Sequence, residues 1–223
     1  MQFKKYIPNT ITLCNLFCGV VATIFAYNDY YYHAAAFFLL GITFDFFDGF
    51  AARMLHVKSD IGKELDSLCD LVSFGVAPAM LMFNCMMDTG FQSWTPWLAF
   101  IIPVCGALRL AKFNIDDRQT TSFIGLPIPA NAIFWIGYSA LAYYGTEFVC
   151  QWYWFLLIVL VESWLMISPV RFFSLKFKTW GWKGNALKWM MIITAPVLVA
   201  IMGIPGLLWT IVAYTLYSLF DVK

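Results

Sequence analysis

The stretch "DFFDGFAARMLHVKSDIGKELDSLCD", residues 45–70, decides the fold, because it places four aspartates at fixed spacings inside otherwise apolar sequence. Residues three or four apart lie on one face of a helix. Asp45 and Asp48 would therefore share a face at the end of one helix, and Asp66 and Asp70 a face at the start of the next. A tight helix–loop–helix would bring the two pairs together.

The rest of the chain indicates that this acidic stretch borders a membrane. Of its 223 residues, 61% are hydrophobic and only 12% are charged, whereas soluble domains carry about 25% charged residues. Apolar runs of about 17–25 residues are long enough to span a bilayer as helices. We predict an all-α polytopic membrane protein, one domain over residues 1–223, with about eight spans; six or seven are also compatible. The predicted spans are 7–27, 31–52, 66–87, 92–112, 128–146, 150–170, 187–203 and 205–220.

Charge alternates between the predicted loops. With eight spans, all 14 lysines and arginines fall on one side, whereas the loops of the other side carry Asp29, Asp88 and Glu147. The positive-inside rule assigns the basic side to the cytoplasm. We therefore expect a multi-pass protein of the cell inner (cytoplasmic) membrane, with both termini and the aspartates on the cytoplasmic side.

Four neighbouring carboxylates need neutralisation. Two unit charges about 5 Å apart repel by about 3 kcal/mol at an effective dielectric constant of 20. Protons, the nearby Arg53 and Lys63, or divalent cations could offset this repulsion, and hard oxygen ligands suit Mg²⁺ or Mn²⁺. A solvated acidic loop is the simpler alternative, but it does not explain two facing helical stripes. The sequence therefore favours a metal site.

Small residues on the same face extend this interpretation. Gly49 and Ala52 follow Asp45 at helical offsets of four and seven. They would leave room for a ligand to approach the backbone, although close helix packing is the alternative. Arg53 follows at once, and a guanidinium beside metal ions suits a diphosphate.

These residues carry a resemblance to a known family. The spacing Asp45-x2-Asp48-Gly49-x2-Ala52-Arg53-x8-Gly62-x3-Asp66-x3-Asp70 resembles in full the signature of the CDP-alcohol phosphatidyltransferases. Further stretches resemble the phosphatidylserine synthase branch of that family. They are "IPNTITLCNLFCG" (7–19), "DLVSFGVAPA" (70–79), "LRLAKFN" (108–114), "GLPIPA" (125–130) and "SPVRFFSLK" (168–176). Lys112 stands where the branch usually has arginine, which keeps the charge.

The resemblance implies a six-helix catalytic core with two further C-terminal helices, and a homodimer. It implies transfer of a phosphatidyl group from CDP-diacylglycerol to an alcohol, with release of CMP and with two divalent cations, Mg²⁺ or Mn²⁺. The implied metal ligands are Asp45, Asp48, Asp66 and Asp70, and Asp70 would also be the general base. The implied residues around CDP-diacylglycerol are Asn9, Thr12, Asn15, Gly49, Ala52, Arg53 and Ser59.

The branch implies L-serine as the acceptor alcohol. A serine carboxylate needs a cation, and Arg109 with its polar neighbour Asn114 could supply one; Arg171 and Lys176 are alternative cations. Glycerol phosphate or inositol phosphate would need an extra phosphate site, and choline would favour an aromatic cage. A divalent-cation transporter is a different class of protein, but it would place its acids near the membrane midplane and often shows repeated halves. The expected partners are the two substrates and the lipid bilayer, and not nucleic acid.

Overall fold

The structure of the protein is a computed structural model, and it describes residues 6–57, 59–88, 94–116, 122–145, 151–174, 181–182 and 185–220. The helices in these ranges are α1 (Tyr6–Tyr27), α2 (Tyr31–Met54), α3 (Asp60–Asp70), α4 (Ala77–Asp88), α5 (Ile101–Ile115), α6 (Ile128–Tyr143), α7 (Trp152–Ile167), α8 (Ala186–Met202) and α9 (Gly206–Phe220). A π-helical turn, Leu71–Val76, joins α3 to α4, and a 3₁₀ turn, Thr95–Phe100, leads into α5. Two short strands, β1 (Ser122–Ile124) and β2 (Arg171–Phe173), complete the described elements.

The helical segments confirm an all-α polytopic membrane protein. Four of them are long and apolar enough to cross a bilayer: 6–27, 31–54, 60–87 and 95–115. Shorter apolar helices follow at Trp152–Ile167, Ala186–Met202 and Gly206–Phe220. Each of the eight predicted runs overlaps one helix or one continuous helical segment. The third segment begins at Asp60 rather than at 66, because the polar first turn of α3 extends it beyond the apolar run.

Large apolar side chains on α1 point away from the protein. Leu13, Phe17, Val20 and Ile24 are exposed and recur at helical spacing. In a membrane protein such a stripe meets lipid rather than water. The opposite face of α1 is buried and contains small and polar residues.

Small residues let α1 approach its neighbours closely. A Cβ atom added at Gly41 of α2 would lie 3.2 Å from Asn15 Oδ1 and 3.7 Å from Cys18 Cβ. One added at Gly19 would lie 2.2 Å from Ser73 Oγ in the π-helical turn. Small residues at helix interfaces are typical of membrane proteins. Helix α1 therefore packs against both helices that carry the aspartates.

One end of the bundle, which we call the turn end, is closed by residues 28–30 and the carboxyl-terminal half of α4. The Asn84 Nδ2 amide donates to the carbonyl oxygens of Ala26 and Tyr27, at 2.8 and 2.6 Å, and to Asp29 Oδ1 at 3.0 Å. Asp29 has a φ of 63°, in the left-handed region that aspartate tolerates better than most residues. The turn end thus ties α4 to the α1–α2 connection.

The opposite end, which we call the site end, contains the α2–α3 connection and the strand pair. Strands β1 and β2 pair antiparallel, with Phe123 opposite Phe172. The two strands belong to connections that the charge pattern assigns to one side of the membrane, so their pairing agrees with the predicted alternation. Which compartment each end faces remains a prediction.

The C-terminal helices pack onto the rest of the bundle through α6 and β2. A Cβ atom added at Gly137 of α6 would lie 2.3 Å from the backbone nitrogen of Leu208, so α9 approaches α6 very closely. The Tyr214 hydroxyl of α9 donates to the carbonyl oxygen of Phe173 in β2 at 2.8 Å. Gly203, at a φ of 67°, makes the turn between α8 and α9.

Candidate functional site

Three of the four predicted aspartates converge at the site end. Asp45 and Asp48 lie on α2, and Asp66 lies on α3. Each offers one carboxylate oxygen, and these three oxygens lie within 4.8 Å of one another. The helical spacing and the short connection after Met54 produce this convergence, because the acidic faces of α2 and α3 meet there.

Asp70 lies beside this group rather than within it. Its buried carboxylate contacts that of Asp45 and accepts a hydrogen bond from Asn15 Nδ2 at 3.5 Å. The π-helical turn follows at once, and the Ser73 hydroxyl in that turn donates to the Asn15 carbonyl at 3.0 Å. π-Helical turns occur frequently at functional sites. Here the turn and α1 together fix the position of Asp70.

The three-aspartate group has the chemistry of a divalent-cation site. Asp48 is buried, and its Oδ2 atom has no hydrogen-bond partner among the described residues. A buried carboxylate oxygen without a partner is strongly disfavoured unless a cation or a ligand meets it. Clustered carboxylate oxygens are the ligands that Mg²⁺ and Mn²⁺ prefer. The residues present therefore fit a bound divalent metal ion.

A cavity of about 480 Å³ opens beside the aspartates. Its lining comes from the start of α1, the end of α2 and the start of α3: Pro8, Asn9, Thr12, Asp48, Gly49, Ala52, Val57, Ser59, Asp60, Gly62, Lys63 and Asp66. At Gly49, an added Cβ atom would meet nothing within 4 Å in the described part of the chain. Gly49 therefore leaves open space at the cavity wall and does not serve close helix packing.

The amino-terminal end of α3 forms one wall of this cavity. Ser59 caps the helix, because its Oγ atom accepts a hydrogen bond from the Gly62 backbone N–H at 3.0 Å. A Cβ atom at Gly62 would lie 2.8 Å from Ser59 Oγ and 3.1 Å from Asn9 Oδ1, so a side chain there would disturb both. A serine hydroxyl that accepts one bond can still donate its own proton. Ser59 can therefore cap α3 and donate a hydrogen bond to a ligand oxygen at the same time.

The residues that the sequence grouped around a nucleotide separate into three places. Asn9, Thr12, Gly49, Ala52 and Ser59 line the cavity described above.

The other two residues of that group lie elsewhere. Arg53 is exposed, its Nε donates to the Gly49 carbonyl at 3.0 Å, and it lines an adjoining cavity of about 570 Å³ with Ala52, His56 and Val57. Asn15 is fully buried with Asp70 and does not line either cavity. The structure thus makes Arg53 a residue of the cavity rim and Asn15 a partner of Asp70.

Arg109 also lies close to Asp70. It projects from α5, is only 6% exposed, and interacts electrostatically with the Asp70 carboxylate. Its Cζ atom lies 4.9 Å from the centre of the Phe113 ring. Its Nε atom is buried and has no hydrogen-bond partner within the ranges that the structure describes. Arg109 is therefore a buried cation with a free donor beside the proposed base.

The remaining predicted serine contacts have other surroundings. The Asn114 Nδ2 amide donates to Ser67 Oγ at 2.9 Å, and the Asn114 carbonyl accepts a bond from Lys63, so Asn114 joins α5 to α3. Arg171 is exposed on β2. Lys176 lies outside the described residues.

The site includes residues to which the sequence assigned no part in substrate binding, among them Lys63, which was considered only as a cation near the aspartates, and Tyr214. Lys63 lines the cavity, and its position inside the aspartate spacing was a usable signal. Tyr214 of α9 lies near Arg109. No local pattern could have indicated Tyr214, because it lies far from the aspartates in sequence.

Comparisons with known proteins agree with this geometry. The model of the family described as CDP-alcohol phosphatidyltransferase matches residues 5–219. Three similar curated proteins are each named CDP-diacylglycerol–serine O-phosphatidyltransferase. The first, from Bacillus subtilis, is 44% identical over 129 residues, covering 56% of this chain and 70% of the relative. The second, from Mycobacterium leprae, is 36% identical over 177 residues, covering 74% of this chain and 57% of the relative. The third, from Methanocaldococcus jannaschii, is 40% identical over 136 residues, covering 60% of this chain and 61% of the relative. The chain thus spans less than two thirds of the length of the last two.

Proposed function

The chain belongs to the CDP-alcohol phosphatidyltransferase family, and we propose that it transfers the phosphatidyl group of CDP-diacylglycerol to L-serine, giving phosphatidylserine and CMP. The observation that carries this proposal is the group of Asp45, Asp48 and Asp66 beside a cavity of about 480 Å³. The names of the relatives support serine as the acceptor. We further propose that residues 1–223 act as one catalytic domain.

The aspartates would hold two divalent cations, Mg²⁺ or Mn²⁺. Asp45, Asp48 and Asp66 supply the converging oxygens, and Asp70 adds a fourth carboxylate at the edge of the group. When bound, such ions polarise diphosphate oxygens and stabilise the leaving phosphate. The unpartnered Asp48 Oδ2 supports this assignment, since a cation would satisfy it.

The cavity would hold the cytidine diphosphate part of the lipid substrate. Asn9, Thr12 and Ser59 supply polar groups along its wall, and the open space at Gly49 lets the diphosphate approach the α2 backbone. Arg53, at the rim, and Lys63, in the wall, supply positive charge. The acyl chains remain in the bilayer while the nucleotide lies at its boundary.

Asp70 would act as the general base. It accepts the proton of the serine hydroxyl while the serine oxygen bonds to the β-phosphorus, and the bond from that phosphorus to CMP breaks. Asn15 and the π-helical turn hold the Asp70 carboxylate, so it works by position as well as by basicity. Arg109 lies beside Asp70 and would bind the serine carboxylate, which brings the hydroxyl to the base.

The experiment that tests the proposal is an acceptor panel. Purified protein, CDP-diacylglycerol and Mn²⁺ are mixed with serine, glycerol phosphate, inositol phosphate or choline, and CMP release is measured. Release that depends on serine, with phosphatidylserine as the lipid product, supports the proposal. Release that depends on another alcohol, and not on serine, would assign a different acceptor within the family.

We also propose that the protein lies in the cell inner membrane with its site end on the cytoplasmic side. The basic loops support this orientation. In a cysteine-free background, Ile61→Cys at the site end and Tyr30→Cys at the turn end are matched exposed positions. An impermeant thiol reagent applied to intact cells should label only Tyr30→Cys, and labelling of Ile61→Cys alone would reverse the orientation.

The homodimer stays a prediction from the family resemblance, and the mass of the purified protein in detergent tests it.

A further inference from the structure

An aromatic ring packs on the Arg109 guanidinium and leads on to further aromatic contacts. The guanidinium lies over the Phe113 ring one helical turn along α5, at 4.9 Å from the ring centre to Cζ. The Phe113 ring in turn packs against Phe123 of β1, with 6.2 Å between the ring centres. A planar guanidinium stacks well on aromatic faces, and such contacts fix its orientation.

The strand pair continues these contacts to the last helix. Phe123 of β1 pairs with Phe172 of β2. Tyr214 of α9 packs against the rings of Phe172 and Phe173, at 5.5 and 5.0 Å between centres. Its hydroxyl donates to the Phe173 carbonyl at 2.8 Å. A continuous set of contacts therefore runs from Arg109 through both strands to α9.

Tyr214 lies at the end of this chain of contacts and also near Arg109 itself. Tyr214 and Arg109 are both buried, at 7% and 6% exposure, and the Tyr214 phenol lies near the Arg109 guanidinium. The hydroxyl bond to Phe173 prevents the tyrosine ring from turning away, because a buried hydroxyl without an acceptor is disfavoured. The hydroxyl bond and the two ring contacts therefore anchor Tyr214 near Arg109.

We propose that Tyr214 is a positioning residue for Arg109, so that α9 and the strand pair complete the acceptor side of the active site. The inference rests on the proposed function, in which Arg109 binds the serine carboxylate. Tyr214 does not touch the reacting atoms; it acts by holding the guanidinium beside Asp70. The two C-terminal helices then contribute to acceptor binding in addition to their packing role.

The test compares two tyrosines on the same helix. Tyr214→Phe removes the hydroxyl bond to Phe173 and keeps the ring. Tyr217→Phe is the matched control, because the Tyr217 hydroxyl contacts Thr194 Oγ1 of α8 at 3.3 Å. Loss of one neutral hydrogen bond corresponds to about a 3- to 10-fold effect. We expect Tyr214→Phe to raise the serine KM by about that factor while leaving the CDP-diacylglycerol KM unchanged, and we expect Tyr217→Phe to alter neither KM.

Further variants separate positioning from general stability. Phe113→Leu should reproduce the selective rise in serine KM, because it removes the ring under the guanidinium. In an Arg109→Lys background, Tyr214→Phe should add little, since the planar group that it positions is gone. Melting temperatures of all variants are measured in the same detergent, and the KM values are compared at a temperature where every variant is folded, because reversible unfolding raises an apparent KM.

The outcomes distinguish this inference from the proposed function. A wild-type protein that releases no CMP with serine contradicts the proposed function, and the inference falls with it. A wild-type protein that uses serine, combined with an unchanged serine KM in Tyr214→Phe, overturns the inference alone. An equal rise in both KM values, or full additivity with Arg109→Lys, also overturns it, because Tyr214 would then act on the structure in general.

Discussion

The two ends of the helical bundle treat polar side chains in opposite ways. At the turn end, the Asn84 amide meets three acceptors, from Ala26, Tyr27 and Asp29. At the site end, Asp48 Oδ2 and Arg109 Nε are buried and lack partners among the residues described. Each unsatisfied buried group costs about 1–3 kcal/mol. The turn end therefore contributes stability, whereas the site end retains polar groups that only a ligand would satisfy.

This difference predicts that substitutions at the two ends have opposite effects. Changes at the site end should reduce activity and leave stability equal or higher. Changes at the turn end should reduce stability and leave activity intact. CMP release measures the activity of each variant, and the melting temperature of the same sample in detergent measures its stability.

The largest expected effect belongs to the aspartate group. Asp66→Asn should lower kcat/KM by at least roughly 10³-fold, because it removes a converging charge that the metal ions and the developing transition state require. The melting temperature in metal-free buffer should stay equal or rise, since repulsion with Asp45 and Asp48 is relieved. Removal of metal by EDTA should abolish wild-type activity reversibly. Full activity in metal-free buffer would contradict the two-metal site.

The second effect concerns the buried arginine. Arg109→Ala should raise the serine KM by roughly 10- to 150-fold, the range expected for a charge-assisted hydrogen bond to a carboxylate. Arg109→Lys should recover only part of the loss, because a point charge does not replace a planar fork. Weakened CDP-diacylglycerol binding with normal serine binding would instead place Arg109 in the diphosphate pocket. Arg171 would then be the first cation to test for the serine carboxylate.

The third effect uses two glycines with opposite surroundings. Gly49→Ala should raise the CDP-diacylglycerol KM by roughly tenfold, because a methyl group would enter the proposed diphosphate space. It should also stabilise the unliganded protein by up to about 1 kcal/mol, since alanine favours a helix interior. Gly137→Ala is the control: its Cβ atom would lie 2.3 Å from the Leu208 nitrogen, so the melting temperature should fall and the lipid KM should not change. An unchanged lipid KM in Gly49→Ala would exclude Gly49 from the binding site.

The smallest effect on catalysis is expected at the turn end. Asn84→Ala should lower the free energy of unfolding by about 0.5–1.5 kcal/mol, since the half-buried amide loses its hydrogen bonds to the α1–α2 connection while water can reach the exposed acceptors. The kinetic constants should not change. Asn28→Ala is a matched control, because within the described ranges its exposed amide donates to a single acceptor, the Ile24 carbonyl, at 2.8 Å. A loss of turnover in Asn84→Ala at a temperature where the variant is folded would show that the two ends are coupled.

Local sequence predicted those features that depend on local spacing. Each apolar run marked a helical segment, since run length alone decides whether a helix can cross a bilayer. The convergence of Asp45, Asp48 and Asp66 followed from helical periodicity and a short connection. The open space at Gly49 was one of two interpretations of a small residue, and the structure favours the ligand interpretation.

Features that depend on distant contacts could not be predicted in this way. The strand pair joins segments on either side of α6 and α7, and its strands of three residues each are too short to give a periodic signal. Asn15 is adjacent to Asp70 only because Gly19 and Gly41 let α1 approach its neighbours. Both outcomes are decided by contacts between segments that are distant in sequence.

The position of Tyr214 near the end of the chain has a consequence for biosynthesis. All four aspartates emerge from the ribosome before any residue of the strand pair, and α9 follows last. At about 5–20 residues per second, on the order of ten seconds separates the acidic part of the site from α9, which we propose completes the acceptor side. During that interval a nascent chain would already expose its carboxylates at the membrane boundary while it lacked its wall against the acceptor alcohol. On the proposed role of Tyr214, serine binding would reach its full strength only after α9 had been inserted.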